Sequence, residues 1–288
     1  MHKVESLQDG RMEVGMNKTS KRNRRIINCV LSVLAAIWFL PVVFAVLNMF
    51  KGQVEYNMGS FWALPEGNEF MANVSYIRDN ARIFQGMLSS LLYSSCGAVF
   101  AVILGTTAAY AIAHLKIRHR MFWFMVIYSG TIFPFQIYLI PIFSGYAKLG
   151  LYDTRLGMIL FYTAICIPFV MFVLRNFFTG ISREICESAK LDGAGDFQIL
   201  TRIFVPMARA PISVVLLSQF TFCWNDLMFG LTFTKSKEIK PVMASLSLMN
   251  TGHAPAMLTA CLAASLPTIL FFIFLNKNFE AGFAYTGK

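Results

Sequence analysis

The sequence predicts an all-α membrane protein of six transmembrane helices, and three observations predict it. Hydrophobic residues make up 56% of the 288-residue chain and charged residues 14%, a balance too apolar for a surface that faces water. Apolar runs at 26–50, 86–113, 121–145, 157–179, 211–234 and 256–276 each approach the ~20 residues that a ~30 Å hydrocarbon layer requires. Basic residues gather at the ends of the first runs, where they set orientation.

Residues 1–25 are polar and read as a cytoplasmic tail, loosely ordered over 1–20; residues 26–288 read as one membrane domain. Arg22, Arg24 and Arg25 before the first run mimic a signal peptide. That run exceeds the ~7–15 residues of a signal core, however, and no small-x-small site follows, so it reads as an uncleaved first helix. With Lys18 and Lys21 this basic cluster, and Lys116, Arg118 and Arg120 in the short connection after the second run, should lie in the cytoplasm. An even number of spans then puts both termini inside. The mixed charges of the first outer loop (Lys51, Arg78 and Arg82 against Glu55, Glu66, Glu69 and Asp79) suit the outside, whereas Lys235, Lys237 and Lys240 after the fifth run dissent. Juxtamembrane residues account for much of the net charge of +10, and nucleic acid is not needed to explain it.

Between the fourth and fifth runs lies a polar, glycine-broken stretch at 182–206. Ser182 can cap a short helix there, Glu184 suits its positive end, and Asp192-Gly193 supplies a left-handed turn. Ile185 and Ala189 share one face; Glu184, Glu187 and Lys190 share another. Asp196 is expected to cap a second segment running to Phe204, which Pro206 should stop by pushing its predecessor out of the α region. By physics alone this elbow is any solvated connection between helices.

Other functions lack their chemistry. No Gly-x4-Gly-Lys-Ser/Thr phosphate loop occurs, so any ATP used must be bound by another chain. Asp226 is the one acidic residue clearly within an apolar run, against a proton-coupled charge chain. No Gly-x-Ser-x-Gly supports a hydrolase, and we expect neither cofactor nor catalytic residue. Cys29, Cys96, Cys166, Cys186, Cys223 and Cys261 are scattered and read as small hydrophobes. His2, His114, His119 and His253 form no metal cluster and read as solvated or interfacial. Asn73-Val-Ser75 is a formal glycosylation sequon of little weight.

The stretch Glu187-Ser-Ala-Lys-Leu-Asp-Gly193, followed by Ile203-Phe-Val-Pro206, resembles the EAA loop of permease subunits from binding-protein-dependent ABC importers. Glu187, Ala189, Gly193, Ile203 and Pro206 match that pattern; Ser188 and Val205 depart mildly, and Ser182 stands where Pro is frequent. Weaker likenesses place the chain with carbohydrate importers, resembling the MalG branch of maltose-type transporters rather than its MalF partner. They are the run 141–154, Pro168-Phe169, Trp224-Asn225-Asp226, and the glycine-containing tail 278–288. The resemblance implies the type I permease fold with a cytoplasmic coupling helix. It also implies a second permease subunit as heterodimer partner, two ATP-binding subunits, an extracytoplasmic solute-binding protein and a sugar or oligosaccharide substrate. Glu187, Ser188, Ala189, Asp192 and Gly193 would then meet the ATPase, with Ile203 and Pro206 anchoring the elbow to the membrane core. A self-contained six-helix secondary transporter or channel is the alternative.

Sugars are held by aromatic faces and convergent hydrogen-bonding groups. The candidates are Tyr128, Phe133, Phe135, Gln136 and Tyr138 in the third run, and Phe220, Trp224, Asn225 and Asp226 in the fifth. Asn225 and Asp226 are expected to face a polar cavity, since lipid would penalise them. The aromatics could equally serve helix packing or lipid contact.

Overall fold

The computed structural model describes residues 2–80, 82–249 and 252–285, with side chains described over 23–79, 82–249 and 252–274. The chain divides into two compact units, Met1–Asn73 and Val74–Lys288.

In the first unit, α1 (His2–Asn48) runs unbroken through the expected tail and through Pro41, so residues expected to be loosely ordered are helical from His2. After it the chain turns back through α2 (Gln53–Met58) into α3 (Phe70–Asn80). Buried side chains close this loop by satisfying backbone carbonyls. The Asn48 amide donates to Phe44 O (2.8 Å) and Phe61 O (3.0 Å), and the Lys51 ammonium donates to Ser60 O (2.9 Å). The Asn73 amide donates to Met49 O (2.9 Å) and Lys51 O (3.0 Å), so the sequon asparagine is structural.

The second unit centres on α4 (Ile83–His114), flanked by α5 (Arg120–Tyr128), α6 (Gln136–Leu149) and α7 (Arg155–Thr179). Gly97, Ala101, Gly105 and Ala109 recur every fourth residue of α4 and are all buried. That stripe lets α7 approach to backbone distance: a Cβ on Gly97 would lie 2.8 Å from Tyr162 Cβ, and one on Gly105 would lie 2.6 Å from Val170 Cγ1. Small residues at helical spacing are how membrane helices gain close packing where lipid offers no hydrophobic drive.

Beyond α7 the chain continues through α8 (Arg183–Leu191), α9 (Asp196–Ile199), α10 (Val205–Met207) and α11 (Arg209–Trp224). It ends with α12 (Met228–Phe233), α13 (Val242–Ser247) and α14 (Ala254–Tyr285). No strand occurs among the described residues. Side chains of the tail 278–288, one of the weaker likenesses, lie outside the described residues.

Among the described residues, four continuous helices are long and apolar enough to cross a membrane: 23–48, 83–114, 155–179 and 254–274. The third and fifth runs, expected as straight spans, are not. The third bends by 95° between Arg120–Thr131 and Gln136–Leu149. Pro134 lies in that gap, and the residue before a proline is disfavoured in the α region. In the fifth region, Asp196–Met207 meets Arg209–Trp224 at 81°, and the run breaks again at 225–227 before α12. The 16 residues of α11 reach about 24 Å, short of a full ~30 Å crossing.

A clasp joins the loops that precede α7 and follow α12. Asp153, at φ 57°, donates its N–H to Phe233 O, while its carboxylate accepts from the backbones of Lys235 (2.8 Å) and Ser236 (2.9 Å) and from the Ser236 hydroxyl. Partial burial opposes ionisation of Asp153, but those hydrogen bonds outweigh it and hold the carboxyl below its ordinary pKa of 3.8. A lowered folded-state pKa means the clasp contributes fully above that ordinary value and loosens as pH falls through the lower folded one. Acid titration should therefore release protection of the 235–240 amides in hydrogen exchange, and Asp153→Asn should abolish that acid dependence.

Candidate functional site

The 182–206 stretch folds as an elbow. Ser182 Oγ accepts from Glu184 N at 3.3 Å, capping α8 as its sequence implies. At the other end Gly193 takes φ +83°. Its N–H donates to Lys190 O (3.0 Å) and the Ala194 N–H to Ala189 O (3.0 Å), the paired bonds of a Schellman turn. Gln198 Oε1 accepts from Gly195 N at 3.1 Å and starts α9. Two expectations fail here. Asp196 is the first residue of α9 rather than its cap, and its carboxylate pairs with Lys190 Nζ at 2.8 Å across the turn. That contact raises the Lys190 pKa, first by hydrogen bonding and then by charge.

Pro206 does not stop the second segment either. Val205 keeps α geometry, Pro206 lies inside α10, and the break comes at Ala208. The reason is the wide π turn at Leu200–Phe204, where Val205 N donates to Leu200 O. Widening relieves the clash between a proline ring and the carbonyl four residues earlier.

The same turn decides what anchors the elbow. Phe204 is fully buried, with its ring 4.6 Å from His114, 5.1 Å from Tyr110 and 5.3 Å from Phe178. Ile203 is half-buried and Pro206 exposed. His114, expected to be solvated or interfacial, is half-buried and joins three elements. Its Nε2 bonds Phe178 O at 2.8 Å and its Nδ1 meets Cys186 Sγ at 3.7 Å. The elbow's outer surface carries Glu187, Ser188, Lys190, Asp192 and Gly193, all exposed, with Ala189 half-buried on the inner face. It also presents two large apolar side chains that sequence reasoning passed over, Leu191 (89% exposed) and Phe197 (75%). Their signal was present: apolar residues on the polar side of an amphipathic helix and its turn.

The helix breaks form a second feature. Phe135, in the break of the third run, lies 5.9 Å from Phe222 and 6.1 Å from Phe229, so this break adjoins the one at 225–227. Gln136 and Asn225 are exposed beside these rings and Tyr138 is half-buried. Three other candidates are otherwise engaged. Tyr128 stacks between Phe124 and Phe172, with centroids at 5.6 and 4.8 Å. Trp224 is 1% exposed, donates Nε1–H to Ala264 O at 3.0 Å and stacks on Phe220. Asp226, expected to face a cavity, instead accepts from Tyr162 Oη (2.9 Å), Phe229 N (3.3 Å) and Gly230 N (3.0 Å), capping α12. Broken helices are tolerated at membrane depth where freed backbone is re-satisfied or lines a cavity, and Asp226 does the first.

Known proteins resemble this chain in sequence and in fold. The chain is 31% identical to the trehalose transport system permease protein SugB of Mycobacterium tuberculosis, over 71% of this chain and 79% of the relative. It is 25% identical to the melibiose/raffinose/stachyose import permease protein MelC of Bacillus subtilis, over 93% and 97%. The fold matches a chain of a bacterial ABC transporter involved in the import of the acidic polysaccharide alginate, with a TM-score of 0.76 and 24% identity over 90% of this chain and 97% of that one. The model of the binding-protein-dependent transport system inner membrane component family matches residues 101–285, a segment that begins inside α4 and takes in both the elbow and the paired helix breaks. With the helical membrane fold and the glycine-turned elbow already in place, this chain belongs to that family of inner-membrane transport components.

Proposed function

We propose that the chain is one permease subunit of an ATP-driven importer for a sugar or oligosaccharide, supplying half of the translocation pathway and no catalysis or cofactor of its own. Relatives named for trehalose and for melibiose, raffinose and stachyose support the substrate class. The partners of this reading are a second permease, two ATP-binding subunits and an extracytoplasmic solute-binding protein. The bent pairs count as spans, giving six, with the tail 1–25 and both termini in the cytoplasm and 26–288 as the permease domain.

The elbow carries the proposal. It is short, turned by a hydrogen-bonded glycine, seated on the core through His114 and Phe204, and tipped with exposed Leu191 and Phe197. An exposed apolar tip on a rigid base is suited to a partner's cleft, and motion of that partner would pass to α7 and α11 as a tilt. Glu187, Ser188, Ala189, Asp192 and Gly193 form its docking surface in this reading, with Ile203 and Pro206 behind it. Substrate passes the paired breaks, where Gln136, Tyr138 and Asn225 offer polar contacts. Deleting the chain in its host and measuring uptake of labelled mono- and oligosaccharides tests the whole reading: loss of at least one sugar is expected, and unchanged uptake of all would overturn it.

Two further outcomes are expected. Cysteine placed at Gly67 or Ser236 should react with an impermeant reagent from outside, and cysteine at Lys190 should not; outside labelling at 190 would reverse the orientation. Asn225→Ala should lower uptake with assembly intact. Asp226→Ala should instead lower the melting temperature, because it leaves three donors without their acceptor at about 1–3 kcal/mol each.

A further inference from the structure

We propose that a cavity at the meeting of α4, α5, α7 and α8 binds the phosphate of an anionic membrane lipid. The cavity holds about 210 Å³ and is lined by Arg120, Arg175 and Arg183, with His114 in its wall. Among the described residues none of these arginines has a carboxylate within ion-pairing distance. His114 is not a ligand, since both ring nitrogens are engaged with Phe178 O and Cys186 Sγ.

Arg175 is held ready. Its guanidinium lies 4.8 Å above the Phe124 ring, and its Nε is buried with no hydrogen-bond partner. A buried N–H without an acceptor is costly and uncommon. A phosphate oxygen is the acceptor that a planar guanidinium fork fits best.

The surroundings select a lipid. Arg120 is the first residue of α5, and Met121, Phe122, Trp123, Met125 and Val126 follow it with exposures between 47% and 59%. Arg175 lies four residues before Thr179, the last residue of α7, near enough to that end for a long cation to reach the interface. A cationic pocket continued by an apolar wall accommodates a headgroup and its acyl chains together, and basic pockets between membrane helices are sites for anionic headgroups. A bound lipid would press on the His114 contact that seats α8, bracing the elbow. The site requires only that the chain sits in a bilayer, so it stands or falls independently of the substrate.

The test uses the full chain, purified in neutral detergent and titrated with phosphatidylglycerol or phosphatidylcholine, with bound lipid read by native mass spectrometry. Phosphatidylglycerol should be retained preferentially. Arg120→Gln and Arg183→Gln should each weaken retention about fivefold, and the triple variant with Arg175→Gln roughly 100-fold. Because Arg175 is packed, the Arg120→Gln/Arg183→Gln pair at the rim serves as the fold control: it should melt as wild type without lipid and lose the stabilisation that phosphatidylglycerol gives. Inorganic phosphate at the same concentration should leave the lipid in place. Displacement of the lipid by phosphate would overturn the lipid assignment in favour of a free-anion site. Equal retention of the two lipids, or equal retention by wild type and the rim pair, would overturn the proposal outright.

Discussion

Gly193→Val is expected to abolish most transport while leaving the protein inserted and folded. A Cβ on Gly193 would meet nothing within 4 Å, so space is not the issue. The cost is the backbone: φ +83° is left-handed, and a β-branched residue there pays about 1–2 kcal/mol or more. The chain can avoid that only by abandoning the Gly193–Lys190 and Ala194–Ala189 bonds, which redirects α9 and moves Phe197 relative to Leu191. The α4–α7 seam at Gly97 and Gly105 makes no contact with Gly193 and should be untouched. Uptake and co-purification of the ATPase should both fall about tenfold or more, the consequence of ~1.4 kcal/mol or more lost at the proposed docking surface. Gly193→Asn, which tolerates the left-handed region, should keep much of both. Glu187→Lys should uncouple by a different route, reversing charge on the same exposed surface with the turn intact. Wild-type transport in the valine variant would remove the elbow from the mechanism.

Gly105→Leu is expected to have the largest effect on folding. The added Cβ alone would lie 2.6 Å from Val170 Cγ1 and 3.2 Å from Met171 N. One of these is side chain and could shift; the other is α7 backbone and cannot without moving the helix. Overpacking a fitted seam costs about 1–3 kcal/mol, and more where backbone must move. The variant should lose monodisperse protein in detergent or melt many degrees lower. Gly105→Ala should be milder, and Val170→Ala should partly restore it by removing the nearest atom. A leucine variant with wild-type melting would mean that α4 and α7 are not packed at glycine distance.

Fold class was legible because the bilayer constrains the sequence so strongly. An apolar run of spanning length has few structures open to it once every backbone group must be satisfied within the chain. The turn at Gly193 was legible for a related reason: capping is local chemistry between residues a few positions apart, so Ser182, Glu184 and Gly193 announce it wherever they occur. Proline was the misleading residue. Pro206 reads as a helix stop only if the preceding turn has α geometry, and Pro41 sits inside an unbroken α1.

The site residues divide along the same line. Sequence alone determined the membrane class, the position of the elbow, and the polar character of 225–226, since composition, spacing and side-chain chemistry depend on no distant partner. Tertiary structure decided which side chains are free to act. Asp226 is occupied by Tyr162 from 64 positions away, and Trp224 by Ala264 from 40. Phe204 is buried against His114 and Phe178, with half-buried Ile203 packed on the same core and Pro206 exposed, an arrangement set by the π turn. A hydrogen-bonding side chain commits itself to whichever partner the packing of other helices delivers, and that delivery follows from long-range contacts that no local pattern encodes.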